Sequence, residues 1–255
     1  MSKIEKHPIL DIPVREKCSF LFNGKVVECE SGYTIAAALH NAGYPVHSHS
    51  LSGRKRSLAC GIGKCGACEM VVDGEVKRIC ITKVDGVKQV EEIGDEWKVG
   101  EEHKPHVEHF KCDVVIIGAG PAGLSARETL LEKGVNCVIV DNNDTIGGQF
   151  NMQTHQFFFF EEKHRFGGMR GFDIAQNLAG ENHEGIFTGC TVWDVMEGGR
   201  VAVKRIATGD IFYIQTDYLI VATGAVPFTP MFQNDDLPGV YTAAVVQKMM
   251  NTEHT

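Results

Sequence analysis

Val114-Val115-Ile116-Ile117-Gly118-Ala119-Gly120-Pro121-Ala122-Gly123 is an apolar run that enters a glycine-spaced turn. Four consecutive β-branched residues with no polar alternation read as a strand buried on both faces, the habit of parallel sheets. Residues 124–132 read as a helix stopped by Gly134, and Cys137-Val138-Ile139-Val140 is a second buried strand ending at Asp141. A lone Gly-x-Gly-x-x-Gly says little; strand before, helix after and acid at the next strand end make it a dinucleotide turn. Gly118 permits the tight bend, Gly120 lacks the Cβ that would block a pyrophosphate, and Gly123 lets helix and strand pack closely. With Pro121 and Ala122 they are the candidate phosphate-side residues, because a helix N-terminus offers unpaired N–H groups to anions. Asp141, eighteen residues past Gly123, suits a ribose 2′-hydroxyl and repels a 2′-phosphate, which excludes NADP from this turn.

Beyond this unit, residues 192–195, 201–206, 211–216 and 218–221 read as further strands. Before it lies a charged stretch with two glycines and a proline, so residues 94–110 are expected to be a solvated linker between domains at 1–93 and 111–255. In the first domain, residues 18–22 and 25–29 flank Asn23-Gly24, a strong hairpin signal. Thr34 can cap a helix with Ile35, Ala38, Leu39 and Ala42 on one face, stopped by Gly43 and Pro45. A long loop follows over 46–68, then a hairpin of 69–72 and 76–80 around Asp73-Gly74, and a last strand over 88–93. Hairpin, helix, loop, hairpin is the order of a β-grasp ferredoxin.

The loop carries Cys60-x4-Cys65-x2-Cys68, with Cys80 beyond it, which is the spacing of a plant-type [2Fe-2S] site. Gly61, Gly63 and Gly66 let the backbone bend its N–H groups toward three thiolates, and the fourth arrives from the next element. A structural zinc site also takes four thiolates, but zinc ribbons usually present two Cys-x2-Cys knuckles and only one exists here. The other cysteines, Cys18, Cys29, Cys112, Cys137 and Cys190, sit in or beside expected strands, where a free cysteine behaves as a small apolar residue. None of those five forms a Cys-x2-Cys redox pair, which counts against a disulfide reductase.

The 255 residues carry 43% hydrophobic and 23% charged side chains, the balance of a globular protein and not of an extended disordered one. A net charge of −8 with no basic half excludes nucleic acid as a partner. No apolar stretch reaches the ~18 residues of a membrane span, and Met1-Ser2-Lys3-Ile4-Glu5-Lys6 is no signal peptide, so a cytoplasmic location is expected. His103, His106 and His109 read as solvated linker residues, and Arg54-Lys55-Arg56 as a basic turn that either stays solvated or docks an acidic electron partner. Phe157, Phe158, Phe159 and Phe160 read as a buried segment, with a flavin lid or a subunit contact as alternatives.

Gly147-Gly148-Gln149 after the acidic strand, and Tyr218-Leu219-Ile220-Val221-Ala222-Thr223-Gly224-Ala225 before Leu237-Pro238-Gly239-Val240, resemble the two-dinucleotide-binding (glutathione reductase-like) flavoproteins. That resemblance implies FAD on the glycine turn, with contacts from Asn142, Gly148, Gln149, Val192, Thr223 and Gly224. With Thr154-His155, Phe157-Phe158, His164 and Arg170-Gly171 added, the chain looks like the α-type subunits of amine and amino-acid dehydrogenases over about residues 18–250. These are the sarcosine oxidase α, opine oxidase and hydrogen cyanide synthase groups.

The resemblance implies an α/β chain: a β-grasp plant-type ferredoxin domain, then an incomplete Rossmann-like FAD-binding domain whose remainder lies in another polypeptide or has been lost. It also implies an oxidoreductase subunit that relays electrons between FAD and a [2Fe-2S] cluster. Other subunits and a small amine or amino acid (sarcosine, glycine, proline or an opine) would be its partners. An NAD(P)H-dependent reductase and an electron-transfer module without activity of its own are the alternative readings. No proton-abstracting base stands out, so no catalytic residue is assigned.

Overall fold

A computed structural model describes residues 3–50, 52–94, 104–156, 165–228, 230, 232–235 and 237–255. The chain forms two compact units, one of Met1–Glu101 with Val226–Thr255 and the other of Glu102–Ala225.

In the first unit β1 (Lys17–Phe22) and β2 (Lys25–Glu30) form a hairpin whose turn residues Asn23 and Gly24 both have positive φ, 46° and 76°. Primed turns of this kind match the right-handed twist of the strands they join. Thr34 caps α1 (Ile35–Asn41) by accepting from Ala37 N at 3.2 Å. The cysteine loop contains a two-residue ladder, β3 (Ser48–His49) with β4 (Lys55–Arg56), so Lys55 and Arg56 of the basic turn are strand residues.

After the loop come β5 (Glu69–Val72), β6 (Glu75–Arg78) and β7 (Gln89–Glu91). The sheet order is β2-β1-β7-β5-β6, with β1 and β7 parallel. β6 stops at Arg78, two residues short of the expected end, so that Cys80 lies outside the ladder. Phe20, Phe22, Ile35, Leu39, Met70 and Val90 fill the core.

Residues 226–255, expected in the second domain, group with this first unit. The reason is packing: Val245 and Met249, from the C-terminal helix Ala243–Lys248 and the π-turn that continues it, are buried in the first unit's core.

The second unit begins inside the expected linker. Residues 107–111 form β8 (Val107–Lys111), with all five side chains exposed. β9 (Val114–Ile117), α2 (Pro121–Glu132) and β10 (Cys137–Val140) make the central strand–helix–strand unit. The helix starts at Pro121, three residues before the expected position; proline suits a first turn, where its missing N–H costs no bond.

α3 (Gly171–Ala179) and β11 (Ile186–Phe187) were not foreseen either. They are followed by β12 (Cys190–Met196), β13 (Arg200–Arg205), β14 (Ile211–Gln215) and β15 (Tyr218–Val221). One sheet has the order β11-β10-β9-β15, all parallel, and the other β12-β13-β14-β8. Alternate residues of β9 serve different cores: Val114 and Ile116 pack with Leu124 and Ile174, whereas Val115 joins Val201, Val203 and Phe212. This double burial explains the uninterrupted apolar run.

Candidate functional site

The two glycine-rich loops are built on different principles. In the first unit Gly61, Gly63 and Gly66 have φ of 65°, 72° and 70°, the left-handed region that folds the backbone around the sulfurs. Their curl aims amides inward. Gly63 N donates to Cys80 Sγ at 3.2 Å, and Lys64 N and Ile62 N donate to Cys60 Sγ at 3.3 and 3.5 Å. A Cβ on Gly63 would meet Ile81 Cδ1 at 2.6 Å, so the bend is also sterically reserved for glycine.

Cys60, Cys68 and Cys80 are buried and Cys65 is exposed. The sulfurs lie in mutual contact, Cys60 with Cys65 and Cys80, and Cys80 also with Cys68. The contact with Cys65, then that with Cys80, holds the Cys60 thiol well below its ordinary range, and Cys80 does the same to Cys68. In turn Cys65 is pushed up by Cys60, and Cys80 is pushed up by Cys60 and Cys68. Among the described residues no group of three or more His, Cys, Asp or Glu surrounds a single ion position. Four cysteine sulfurs brought together, two of them accepting loop amides, fit the ligand set that a [2Fe-2S] cluster would need.

In the second unit the glycines act through what they lack. A Cβ on Gly118 would overlap the Ala222 carbonyl, and one on Gly123 would overlap the Gly118 carbonyl oxygen. One on Gly120 would meet nothing within 4 Å, so this glycine faces space that a pyrophosphate can fill at the start of α2. Gly147 N donates to Ala119 O at 2.8 Å, and a Cβ on Gly148 would lie 3.1 Å from Gly120 Cα, so the second glycine pair backs onto the turn.

Asp141 is buried, and its carboxylate already has partners: Oδ2 accepts from Ala119 N at 2.6 Å, and Oδ1 accepts from Asn143 N and Nδ2 at 2.7 and 2.8 Å. It braces the turn, and half-buried Asn142 follows it. Gln149 Nε2 donates to Ala225 O at 2.6 Å, tying the Gly-Gly-Gln segment to the stretch that holds exposed Thr223 and Gly224. Val192 lies in β12 at a register shift and packs on the core with Val201 and Val203. Arg170 precedes α3 and donates to the Thr154 carbonyl, a structural tie.

Several other expectations change. His109 is a strand residue stacked on Tyr213 at 5.5 Å, and His106 lies 3.7 Å from Glu108, so neither is a linker histidine without a fixed partner. His103, His164 and the run Phe157, Phe158, Phe159 and Phe160 lie outside the described residues. Cys112, Cys137 and Cys190 are buried, but Cys18 and Cys29 face each other across β1 and β2 with sulfurs 3.1 Å apart. Burial, then contact with Cys18, pushes the Cys29 thiol up to about 12.

Sequence reasoning also missed two cations on the cysteine loop. Arg78 Nη1 donates to Gly63 O at 2.6 Å, and Lys248 Nζ donates to Gly61 O at 2.6 Å and Cys80 O at 3.2 Å. No local signal marks Lys248, which is 187 positions from Gly61.

Two family models match: 2Fe-2S iron-sulfur cluster binding domain over residues 15–92, and pyridine nucleotide-disulphide oxidoreductase over 112–254. Thiamine thiazole synthase of Methanoculleus marisnigri is 40% identical over 48 residues, covering 19% of either protein. Sarcosine oxidase subunit alpha of Corynebacterium sp. (strain P-1) is 23% identical over 155 residues, 56% of this chain and 16% of the relative. The chain thus spans less than a fifth of these curated relatives. A solved structure of L-proline dehydrogenase from P. horikoshii superposes with a TM-score of 0.76 at 25% identity, over 96% of this chain and 49% of that one. Among the described residues no helix is long and apolar enough to cross a membrane.

Proposed function

The chain belongs to the pyridine nucleotide-disulphide oxidoreductase family, as an oxidoreductase with a 2Fe-2S-binding domain and a Rossmann-like FAD-binding domain, and from that premise we propose that it is the iron–sulfur flavoprotein subunit of a dehydrogenase for amines or amino acids. Partner subunits complete the complex, and the donor is a small molecule with a CH–NH bond. The observation that carries this reading is the four-sulfur loop and the cleared glycine turn on one chain, joined to a fold shared with L-proline dehydrogenase over 96% of this chain. The name of the sarcosine oxidase relative, a subunit, adds the expectation of a complex.

In this reading Cys60, Cys65, Cys68 and Cys80 hold the cluster, while Ile62 and Lys64 donate amide hydrogens to the Cys60 sulfur and Gly63 to the Cys80 sulfur. Gly120 leaves room for the FAD pyrophosphate, α2 directs its N-terminal amides at the phosphates, and Asp141 fixes the turn by accepting from Ala119. Asn142, Gly148, Gln149, Thr223 and Gly224 line the flavin side, and Val192 supports it. When bound, the two groups supply two-electron exchange at the flavin and one-electron exchange at the cluster.

The test is stopped-flow reduction of the full chain, alone and with its partner subunits, by sarcosine, proline and glycine, each compared with NADH. Bleaching by an amino-acid donor and not by NADH is expected. Bleaching by NADH alone would make the chain a nicotinamide-dependent reductase, and no bleaching by any donor with partners present would leave only an electron-transfer module.

A further inference from the structure

We propose that Lys248 sets the reduction potential of the cluster, holding a positive charge against both segments that carry its ligands; this rests on reading Cys60, Cys65, Cys68 and Cys80 as those ligands. The geometry is specific. The ammonium donates to the carbonyl of Gly61, next to Cys60, and to the carbonyl of Cys80 itself, at 2.6 and 3.2 Å. It thus joins two ligand segments nearly twenty residues apart in sequence from a helix far beyond both.

The helix is seated for this. Val245, three residues before Lys248 and on the same helical face, is buried, and its Cγ2 would be 3.3 Å from a Cβ on Gly61. The following turn is fastened as well, because buried Glu253 accepts from Thr34 N at 3.1 Å.

The other cation on the loop is the internal comparison. Arg78 also grips a loop carbonyl, that of Gly63, but its Nε lies 3.1 Å from Glu69 Oε1, so its charge is largely cancelled. Among the described residues no carboxylate lies within ion-pair distance of Lys248. Glu253, on the same C-terminal segment, is committed to Thr34. Reduction adds one electron to a site already surrounded by thiolates. An uncancelled cation nearby stabilises the reduced form more than the oxidised one, and net charge is one of the levers on cluster potential. The carbonyls orient the ammonium, and its charge acts on the cluster through space.

The experiment is an EPR-monitored redox titration of the full chain, purified anaerobically, as wild type and as Lys248→Met, Lys248→Gln and Lys248→Arg, each with its iron and labile sulfide measured. Both neutral variants should keep the cluster. Their midpoint should fall by at least the equivalent of a tenfold weaker reduction, about 59 mV for one electron. Lys248→Arg should stay within a third of that shift. Midpoints unchanged in both neutral variants would overturn the proposal, as would an equal fall in Lys248→Arg, which would mark a packing effect. Loss of iron from both neutral variants but not from Lys248→Arg would overturn it too, making Lys248 a structural clasp. Wild-type protein with no iron and sulfide would instead remove the cluster reading beneath it.

Discussion

The cluster loop and the dinucleotide turn both depend on glycine, and they use it in opposite ways. In the loop, left-handed glycines bend the chain so that amides point at cysteine sulfurs, and the chemistry resides in side chains. In the turn, two glycines are pressed against neighbouring backbone and one faces open space, so the site is made mostly of backbone and vacancy. The difference teaches where each unit is fragile. Losing a thiolate from the loop should empty it without unfolding the unit, whereas adding a methyl to the turn damages fold or ligand depending on which glycine receives it.

The largest expected effect separates the glycines. Gly123→Ala drives a methyl into the Gly118 carbonyl and should destabilise the nucleotide unit by about 3 kcal/mol or more. Gly120→Ala, with nothing within 4 Å, should change stability by less than about 1 kcal/mol while lowering FAD affinity. Denaturant melts beside FAD titrations check this, and equal destabilisation by the two would erase the distinction between packing and vacancy.

Next comes Cys65→Ser, which replaces a thiolate by a harder oxygen ligand and should remove most iron with little change in the fold. Cys137→Ser, in the core of the other unit, should leave iron content intact. Equal iron loss would show that the ligand set is wrong.

Acid should divide the units. His40 and His47 are buried in the cluster unit with rings 4.8 Å apart, and burial pushes them down to about 4 and about 3. The unfolded chain binds their protons as pH falls through 6.5, the native unit not until those lower values, so stability present above 6.5 is lost on acidification. Between pH 6.5 and 4 the loss is about 1.4 kcal/mol per pH unit for each histidine. The described histidines of the nucleotide unit are exposed. Amide exchange at pH 7 and pH 5.5 should show the cluster unit loosening first; parallel loosening would contradict it.

The smallest effect concerns Asp141→Asn. It weakens a charge-assisted bond to Ala119 N and should lower FAD affinity by about 1–3 kcal/mol without touching the cluster. Isothermal titration of FAD measures this; an unchanged affinity would mean that the brace on the turn does not matter to the ligand.

How much of this was legible depended on sequence distance. The hairpins at Asn23-Gly24 and Asp73-Gly74, the capped helix after Thr34 and the spaced cysteines are local signals, and each is visible in a few residues. β8 was read as linker because Val107, Glu108, His109, Phe110 and Lys111 are all exposed and show no burial pattern. α3 escaped notice because its start, Arg170-Gly171, carries no Ser, Thr, Asp or Asn cap, although Ile174, Ala175, Leu178 and Ala179 form a buried stripe at helical spacing. The return of residues 226–255 to the first unit could not be read at all, because nothing near Val245 or Lys248 specifies a partner nearly 190 positions away. At the site, the candidate ligands and glycines were legible, while the amide donors, the brace by Asp141 and the cation at Lys248 required three dimensions.

The central claim, a two-iron cluster in the loop and a flavin site on the same chain, is tested most directly by elemental and EPR analysis of anaerobically purified full chain. The account predicts iron and acid-labile sulfide in equal amounts, about two of each per chain, a rhombic signal after reduction, and flavin absorption restored by added FAD. Zinc in place of iron, with no labile sulfide and no such signal, would contradict it.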